Sequence, residues 1–243
     1  MILNRKRMII AFYGDSLTEG KTGISYFDII NKNFPGDTFL NYGKGGDTPI
    51  SLYHRLLKQG LPKSSDIAFL WVGVNDILAK TSWFFAARRR FFRKPWAKDV
   101  NEFKEHYRNL LDLLAPSAER LFTIPPLFIG EDMRDSWNQK LGMIGKLIED
   151  MTTEYENAKF IDIRQEYIRL SPKNVRSYSS KKLIPLIAQN LFPRYGKKGT
   201  KISSGKGYHF TCDGIHLSQR GAEIAAKIIS EEIRIVKSWP RKK

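Results

Sequence analysis

Met8-Ile9-Ile10-Ala11-Phe12-Tyr13-Gly14-Asp15-Ser16-Leu17 runs from six apolar residues straight into a glycine, an acid and a serine. A short apolar run rich in β-branched and aromatic residues, closed by a turn signal, reads as a strand buried on both faces. Open α/β sheets collect their ligands beyond the C-terminal ends of such strands, so Ser16 stands where a nucleophile would. Alone, the tetrapeptide at 14–17 says little, because small polar residues also follow strands as turn formers and helix caps. Its weight depends on a base, an orienting acid and oxyanion donors elsewhere in the chain.

Working outward, apolar or aromatic runs recur at 38–41, 66–73, 120–124 and 158–163. Between them lie stretches of helical period at 23–34, 48–60, 99–115, 136–156 and 218–237. In the third of these Phe103, Tyr107, Leu110, Leu111 and Leu114 share one face. Ser218 is placed to cap the last helix, whose Ile224, Ala225, Ile228, Ile229 and Ile233 make an apolar stripe. Strands alternating with helices predict an α/β fold with a parallel sheet covered on both faces. The 243 residues suit one domain over 1–243, with basic excursions at about 79–98 and 171–210 that fit the alternation poorly.

The net charge is +16, from 41 Lys and Arg against 25 Asp and Glu. Six cations and no acid lie between Trp83 and Lys98, and nine cations and no acid between Ser171 and Cys212. These segments carry nearly the whole excess, so the charge belongs to them and not to the fold. There is no run of about 18 apolar residues able to span a bilayer. The basic start followed by Met8–Tyr13 is too short for a secretory signal, and cleavage there would remove the first strand. The single cysteine, Cys212, excludes an intrachain disulfide and agrees with a reducing compartment. A cytoplasmic protein, peripheral to the membrane at most, is the expectation.

Ester hydrolysis needs a nucleophile, a base to take its proton, a group that orients the base, and donors for the developing oxyanion. Cys212-Asp213-Gly214-Ile215-His216-Leu217-Ser218 precedes the last helix. Asp213 and His216 are three apart in a turn, so the carboxylate can hold one imidazole nitrogen and leave the other facing Ser16. Asn41-Tyr42-Gly43-Lys44-Gly45-Gly46-Asp47-Thr48 follows the second strand, where glycine allows backbone N–H groups to approach a ligand. Trp71-Val72-Gly73-Val74-Asn75-Asp76 follows the third and offers Asn75 as a neutral donor. Taken singly, Ser16, Asp213, His216, Gly46 and Asn75 each have a structural explanation as caps, turn formers or surface residues. Asp15 and Asp76 read as structural. His54, His106 and His209 have no metal-ligand spacing, and no cofactor or metal is expected.

Together these four segments, in this order, resemble the SGNH (GDSL-type) hydrolase family. Gly14-Asp15-Ser16-Leu17 resembles its nucleophile block, Gly46 its oxyanion glycine, Gly73-Val74-Asn75-Asp76 its asparagine block, and Asp213-Gly214-Ile215-His216 its acid–base block. The resemblance implies a flavodoxin-like three-layer α/β/α sandwich with a five-stranded parallel sheet. It implies catalysis by Ser16, His216 and Asp213, with the oxyanion held by the N–H groups of Ser16 and Gly46 and the amide of Asn75. Val74 stands where a second glycine is common, and the two basic segments are not family features.

Segment 83–98 interleaves six aromatics with six cations just beyond Asn75. Trp83, Arg88, Arg89 and Arg90 are its candidates for contact with substrate or surface. That composition suits a peripheral anchor on an anionic membrane. Nucleic acid, where aromatics stack and cations meet phosphates, ranks well behind. The plain alternative is a capping helix with packed aromatics and solvated arginines. The expected function is therefore serine hydrolysis of carboxylic esters, small-molecule, lipid or anionic. Short-chain or acetyl esters and acyl thioesters are the near alternatives. A binding protein for an anionic surface or nucleic acid, carrying a vestigial site, is the non-enzymatic one.

Overall fold

The computed structural model describes residues 7–61, 64–81, 83–171 and 208–239. Five strands, β1 (Ile9–Gly14), β2 (Thr38–Gly43), β3 (Ser65–Trp71), β4 (Ala118–Ile124) and β5 (Ala158–Phe160), form one sheet in the order β2-β1-β3-β4-β5. All four pairings are parallel. The strand order reverses at β1, which makes the C-terminal ends of β1 and its two neighbours the topological switch point.

Each central strand serves two cores because its side chains alternate. Ala11 and Tyr13 of β1, with Ala68 and Leu70 of β3, face one helical layer. That layer holds α3 (Pro49–Gln59), α4 (Val74–Thr81), α5 (Trp83–Phe91), α6 (Val100–Leu114) and α7 (Ser136–Thr152). Ile10 and Phe12, with Ile67, Phe69 and Trp71, face the other. There lie α2 (Tyr26–Asn33), α8 (Ile163–Leu170) and α9 (Gln219–Ser238). On this second face Phe12 stacks on Phe69 at 4.8 Å and Phe69 on Phe122 at 5.0 Å, a cross-strand ladder through the three central strands. Such pairs add about 0.5–1.5 kcal/mol each beyond the area they bury.

Most expected elements lie within a few residues of their expected ends. Helix α2 begins at Tyr26 and not at 23, because Ser25 caps it by accepting the Asp28 N–H at 3.0 Å. Helix α7 ends at Thr152, short of 156. Strand β5 stops at Phe160 instead of 163, because Asp162 caps α8 through the Gln165 N–H and draws Ile163 into that helix. Ser218 does cap α9, accepting from the Gly221 N–H. Stretch 79–98 is not irregular throughout: it holds the end of α4, all of α5 and a turn. The second basic excursion, at 171–210, lies outside the described residues except at its ends.

Register places the site. Gly14 pairs with both Gly43 and Trp71, so β1, β2 and β3 end side by side. Residues 16, 46 and 75 are therefore delivered to one edge of the sheet. The single turn α1 (Ser16–Glu19) lies over that edge so closely that a Cβ on Gly43 would stand 2.2 Å from the Glu19 nitrogen. Only glycine admits this approach.

Candidate active site

Ser16 is the first residue of α1. Asp15 caps that turn by accepting the Leu17 N–H at 3.0 Å, which turns the Ser16 side chain away from the capping role and out beyond the sheet. Its Oγ lies 3.0 Å from Nε2 of His216, and Nδ1 of His216 lies 2.7 Å from Oδ2 of Asp213. A carboxylate only accepts, so Nδ1 carries the proton and Nε2 is left to accept from the serine hydroxyl. Asp213 and His216 are buried while Ser16 is half-buried, so the relay runs from the interior to an accessible oxygen.

The loop that carries this pair is held from below by a residue outside all four blocks. Glu131 follows β4 and is 4 % exposed, and its carboxylate accepts the N–H groups of His209, Phe210 and Thr211 together with the Thr211 hydroxyl, at 2.6–2.8 Å. Thr211 then bridges to Leu217, closing the loop around Asp213 and His216. No spacing or motif marks Glu131. Its only signal is an acid that ends the buried run Phe128-Ile129-Gly130.

Electrostatics favour proton transfer from serine to histidine. Burial pulls the His216 pKa down, but the Asp213 charge and hydrogen bond, with Asp15 behind them, outweigh it and raise it above the ordinary imidazole value. For Asp213 burial raises the pKa, yet His216 and the N–H groups of His216 and Ile215 bring it below the usual carboxylate range. Asp15 and Asp76 go the other way. Burial pushes each up to about 7, the Leu17 N–H and the Ala97 N–H offsetting only part of the shift.

Gly46 stands on the loop after β2 and Asn75 at the start of α4, both beside the Ser16 turn. Gly46 has φ of +76°, a left-handed conformation that favours glycine. Among the described residues no acceptor is set against the N–H of Ser16 or of Gly46. Both are thus available to an oxyanion. Asn75 is buried in the first turn of α4, and its Nδ2 donates to the Asp47 carbonyl at 2.9 Å and to Asp15 Oδ2 at 3.3 Å. It thereby ties the nucleophile turn to the Gly46 loop, with the longer contact the one a ligand would displace.

The four candidates on 83–90 are not one cluster. The Arg88 side chain lies outside the described residues. Arg89 is turned inward: it is 6 % exposed and donates to the carbonyls of Gly46 and Pro95 at 3.0 and 2.9 Å. The reason is helical phase, since Phe85 and Arg89 share the inward side of α5. Trp83 and Arg90 are exposed. Among the described residues no group of three or more His, Cys, Asp or Glu is arranged to hold a metal.

The chain matches the profile of the GDSL-like lipase/acylhydrolase family over residues 10–229. No curated protein matches its sequence. Among solved structures it is similar to an acetyl xylan esterase, AlAXEase, at 20 % identity and TM-score 0.66, covering 93 % of this chain and 100 % of that one. It is also similar to the acetylxylan esterase Axe2 of Geobacillus stearothermophilus, at 16 % identity and TM-score 0.65 over 99 % and 100 % of the two chains. LAE5, an alpha/beta hydrolase enzyme from the metagenome of Lake Arreo, Spain, aligns at 16 % identity and TM-score 0.63, over 94 % and 96 %. At these identities the likeness is one of fold.

Proposed function

The chain belongs to the GDSL-like lipase/acylhydrolase family and is a serine ester hydrolase, and from that premise we propose that Ser16, His216 and Asp213 are its catalytic residues. The observation that carries this is the continuous relay of 3.0 and 2.7 Å from Ser16 Oγ through His216 to Asp213. His216 Nε2 takes the hydroxyl proton as Oγ bonds to the acyl carbon, and Asp213 stabilises the imidazolium without taking the proton. The N–H groups of Ser16 and Gly46, with the Asn75 amide, receive the oxyanion. The imidazolium protonates the leaving alkoxide. Water, deprotonated by the same imidazole, then hydrolyses the acyl-enzyme.

The proposed substrates are carboxylic esters of small acids, with acetyl esters first because two of the similar solved structures are named as acetyl xylan esterases. Turnover of p-nitrophenyl acetate and of longer-chain p-nitrophenyl esters, with Ser16→Ala as control, tests this. Loss of hydrolysis in the variant is expected; equal rates in the two proteins overturn the assignment of Ser16.

The proposed partner of the exposed side of α5 is an anionic membrane surface. Trp83, Ala87, Arg90 and Phe91 are exposed at helical spacing, and Trp83 and Phe91 are each 81 % exposed. Aromatics facing out beside cations suit an interfacial helix, with each cation near the surface contributing about 1 kcal/mol. Among the described residues no helix is long and apolar enough to cross a membrane. The proposal is of a cytoplasmic protein that lies on the membrane through this face. Co-sedimentation with phosphatidylserine-containing vesicles should weaken steeply with salt and in Trp83→Ser/Phe91→Ser. Equal binding of that variant, or equal binding to neutral phosphatidylcholine vesicles, removes the face as the anchor.

A further inference from the structure

Two cations from the basic segment reach carbonyl oxygens of the oxyanion loop. Lys94 Nζ donates to the Gly45 carbonyl and lies 3.3 Å from Asp47 Oδ1, while Arg89 Nη1 donates to the Gly46 carbonyl at 3.0 Å. Arg93, with φ of +50°, ends α5 in the left-handed conformation, and the Lys94 N–H bonds back to the Arg89 carbonyl at 2.9 Å. This reversal brings Lys94 over the loop, where a Cβ on Gly46 would stand 3.4 Å from Nζ. The Thr48 hydroxyl donates to the same Pro95 carbonyl that Arg89 holds, so turn and loop move as one piece.

The Gly45 carbonyl and the Gly46 N–H are the two ends of one peptide group. In a trans peptide they point in opposite directions. A cation on the oxygen draws electron density along the amide and makes the N–H at the far end a stronger donor. The effect grows where water is excluded and the local dielectric is low.

We propose that Lys94 is a positioning residue of the oxyanion hole, its ammonium on the Gly45 carbonyl both fixing the Gly45–Gly46 peptide and strengthening the Gly46 N–H that receives the oxyanion. The proposal rests on the ester-hydrolase reading above and adds to it a residue outside the catalytic blocks. Asp47 keeps a partner when Lys94 is replaced, because Arg55 Nε also donates to it at 2.8 Å. The fold therefore has no need of Lys94 to neutralise that carboxylate.

The test compares Lys94→Met and Lys94→Arg with the parent protein on p-nitrophenyl acetate. Loss of a whole oxyanion donor costs about 10²–10³ in kcat, so weakening one should cost Lys94→Met about tenfold in kcat with KM within about twofold. Lys94→Arg should recover most of the loss. A second readout needs no turnover: the Gly46 amide proton resonance should move upfield in Lys94→Met. Burial lowers the Lys94 pKa against the pull of Asp47, with Lys44 and Arg89 lowering it further, so the parent should lose kcat at alkaline pH and Lys94→Arg should not. Unchanged kcat and an unmoved Gly46 resonance in Lys94→Met, with the parent active, overturn the proposal. Hydrolysis that persists in Ser16→Ala overturns the underlying reading instead, and the Gly46 resonance still decides whether Lys94 polarises the peptide.

Discussion

Asp213 meets His216 twice: Oδ2 lies 2.7 Å from the ring Nδ1, and Oδ1 accepts the backbone N–H of the same residue at 2.8 Å. One carboxylate thus sets the ring and the peptide that carries it. Oδ1 also accepts the Ile215 N–H at 3.0 Å, so the three-residue spacing works as a closed turn.

Replacing Asp213 with Asn should keep most of this geometry and lose the charge that favours the imidazolium. Turnover should fall by about 10⁴, as when a triad aspartate is replaced by asparagine. The acid limb of kcat/KM should also move. His216 must be neutral to act as base, so in the parent activity rises with pH through an apparent pKa above the ordinary imidazole value of about 6.5. In Asp213→Asn that limb should shift downward. A pH–rate profile with an unmoved limb would show that Asp213 does not set the basicity of His216.

Asn75→Ala removes a donor that joins two loops. Turnover should fall about 10²-fold, as when one oxyanion donor is lost. Because the Asp47 carbonyl and Asp15 Oδ2 also lose a partner, thermal stability should drop by a few degrees. Kinetics and a melting curve on one preparation separate the two effects, and full turnover in the folded variant would take Asn75 out of the site.

Glu131→Gln leaves one oxygen for the Phe210 and Thr211 donors but sets an amide group against the His209 N–H. The expected cost is about 1–3 kcal/mol of stability, for a buried donor left without its acceptor. Turnover should fall with little change in KM, because the loop that carries His216 loosens and the substrate pocket is not directly altered. Denaturant unfolding and steady-state kinetics measure the two, and an unchanged kcat would confine Glu131 to folding.

Asp76 gives a pH dependence of unusual sign. One carboxylate oxygen accepts the Ala97 N–H, and among the described residues the other has no partner. Its folded pKa of about 7 exceeds the ordinary aspartate value of 3.8, so between these values the folded protein holds a proton the unfolded chain has released. Stability from this group therefore falls as pH rises from about 4 to about 7. Asp76→Asn should melt several degrees higher than the parent at pH 8 and converge with it near pH 4. A difference independent of pH would rule this origin out.

Legibility followed burial and period. The strands and longer helices were readable because Phe12, Phe69 and the 103–114 stripe repeat at the periods their cores demand. Helix α4 was not, and α5 was legible only as the capping-helix alternative. Asn75 and Asp76 resemble turn residues, and α5 turns Trp83 and Phe91 outward while Arg89 goes in, against the pattern an amphipathic helix normally shows. Ser16, Asp213 and His216 were identifiable because each lies in a short block of chemically restricted residues. Glu131 and Lys94 bond to backbone groups, and such contacts leave no mark on the sequence of the segments they hold.

The Glu131 cradle has a further meaning for how this enzyme can change. The chain enters the 209–217 loop already fastened to the segment behind β4, so His216 takes its position from Glu131 and from α9. The four hydrogen bonds of Glu131 end on His209, Phe210 and Thr211, so a change at position 131 reaches the base without touching any of the four catalytic blocks. The proton relay is thus inherited with the segment behind β4 as well as with the blocks themselves, and a chimera that moves the blocks between relatives has to carry Glu131 with them.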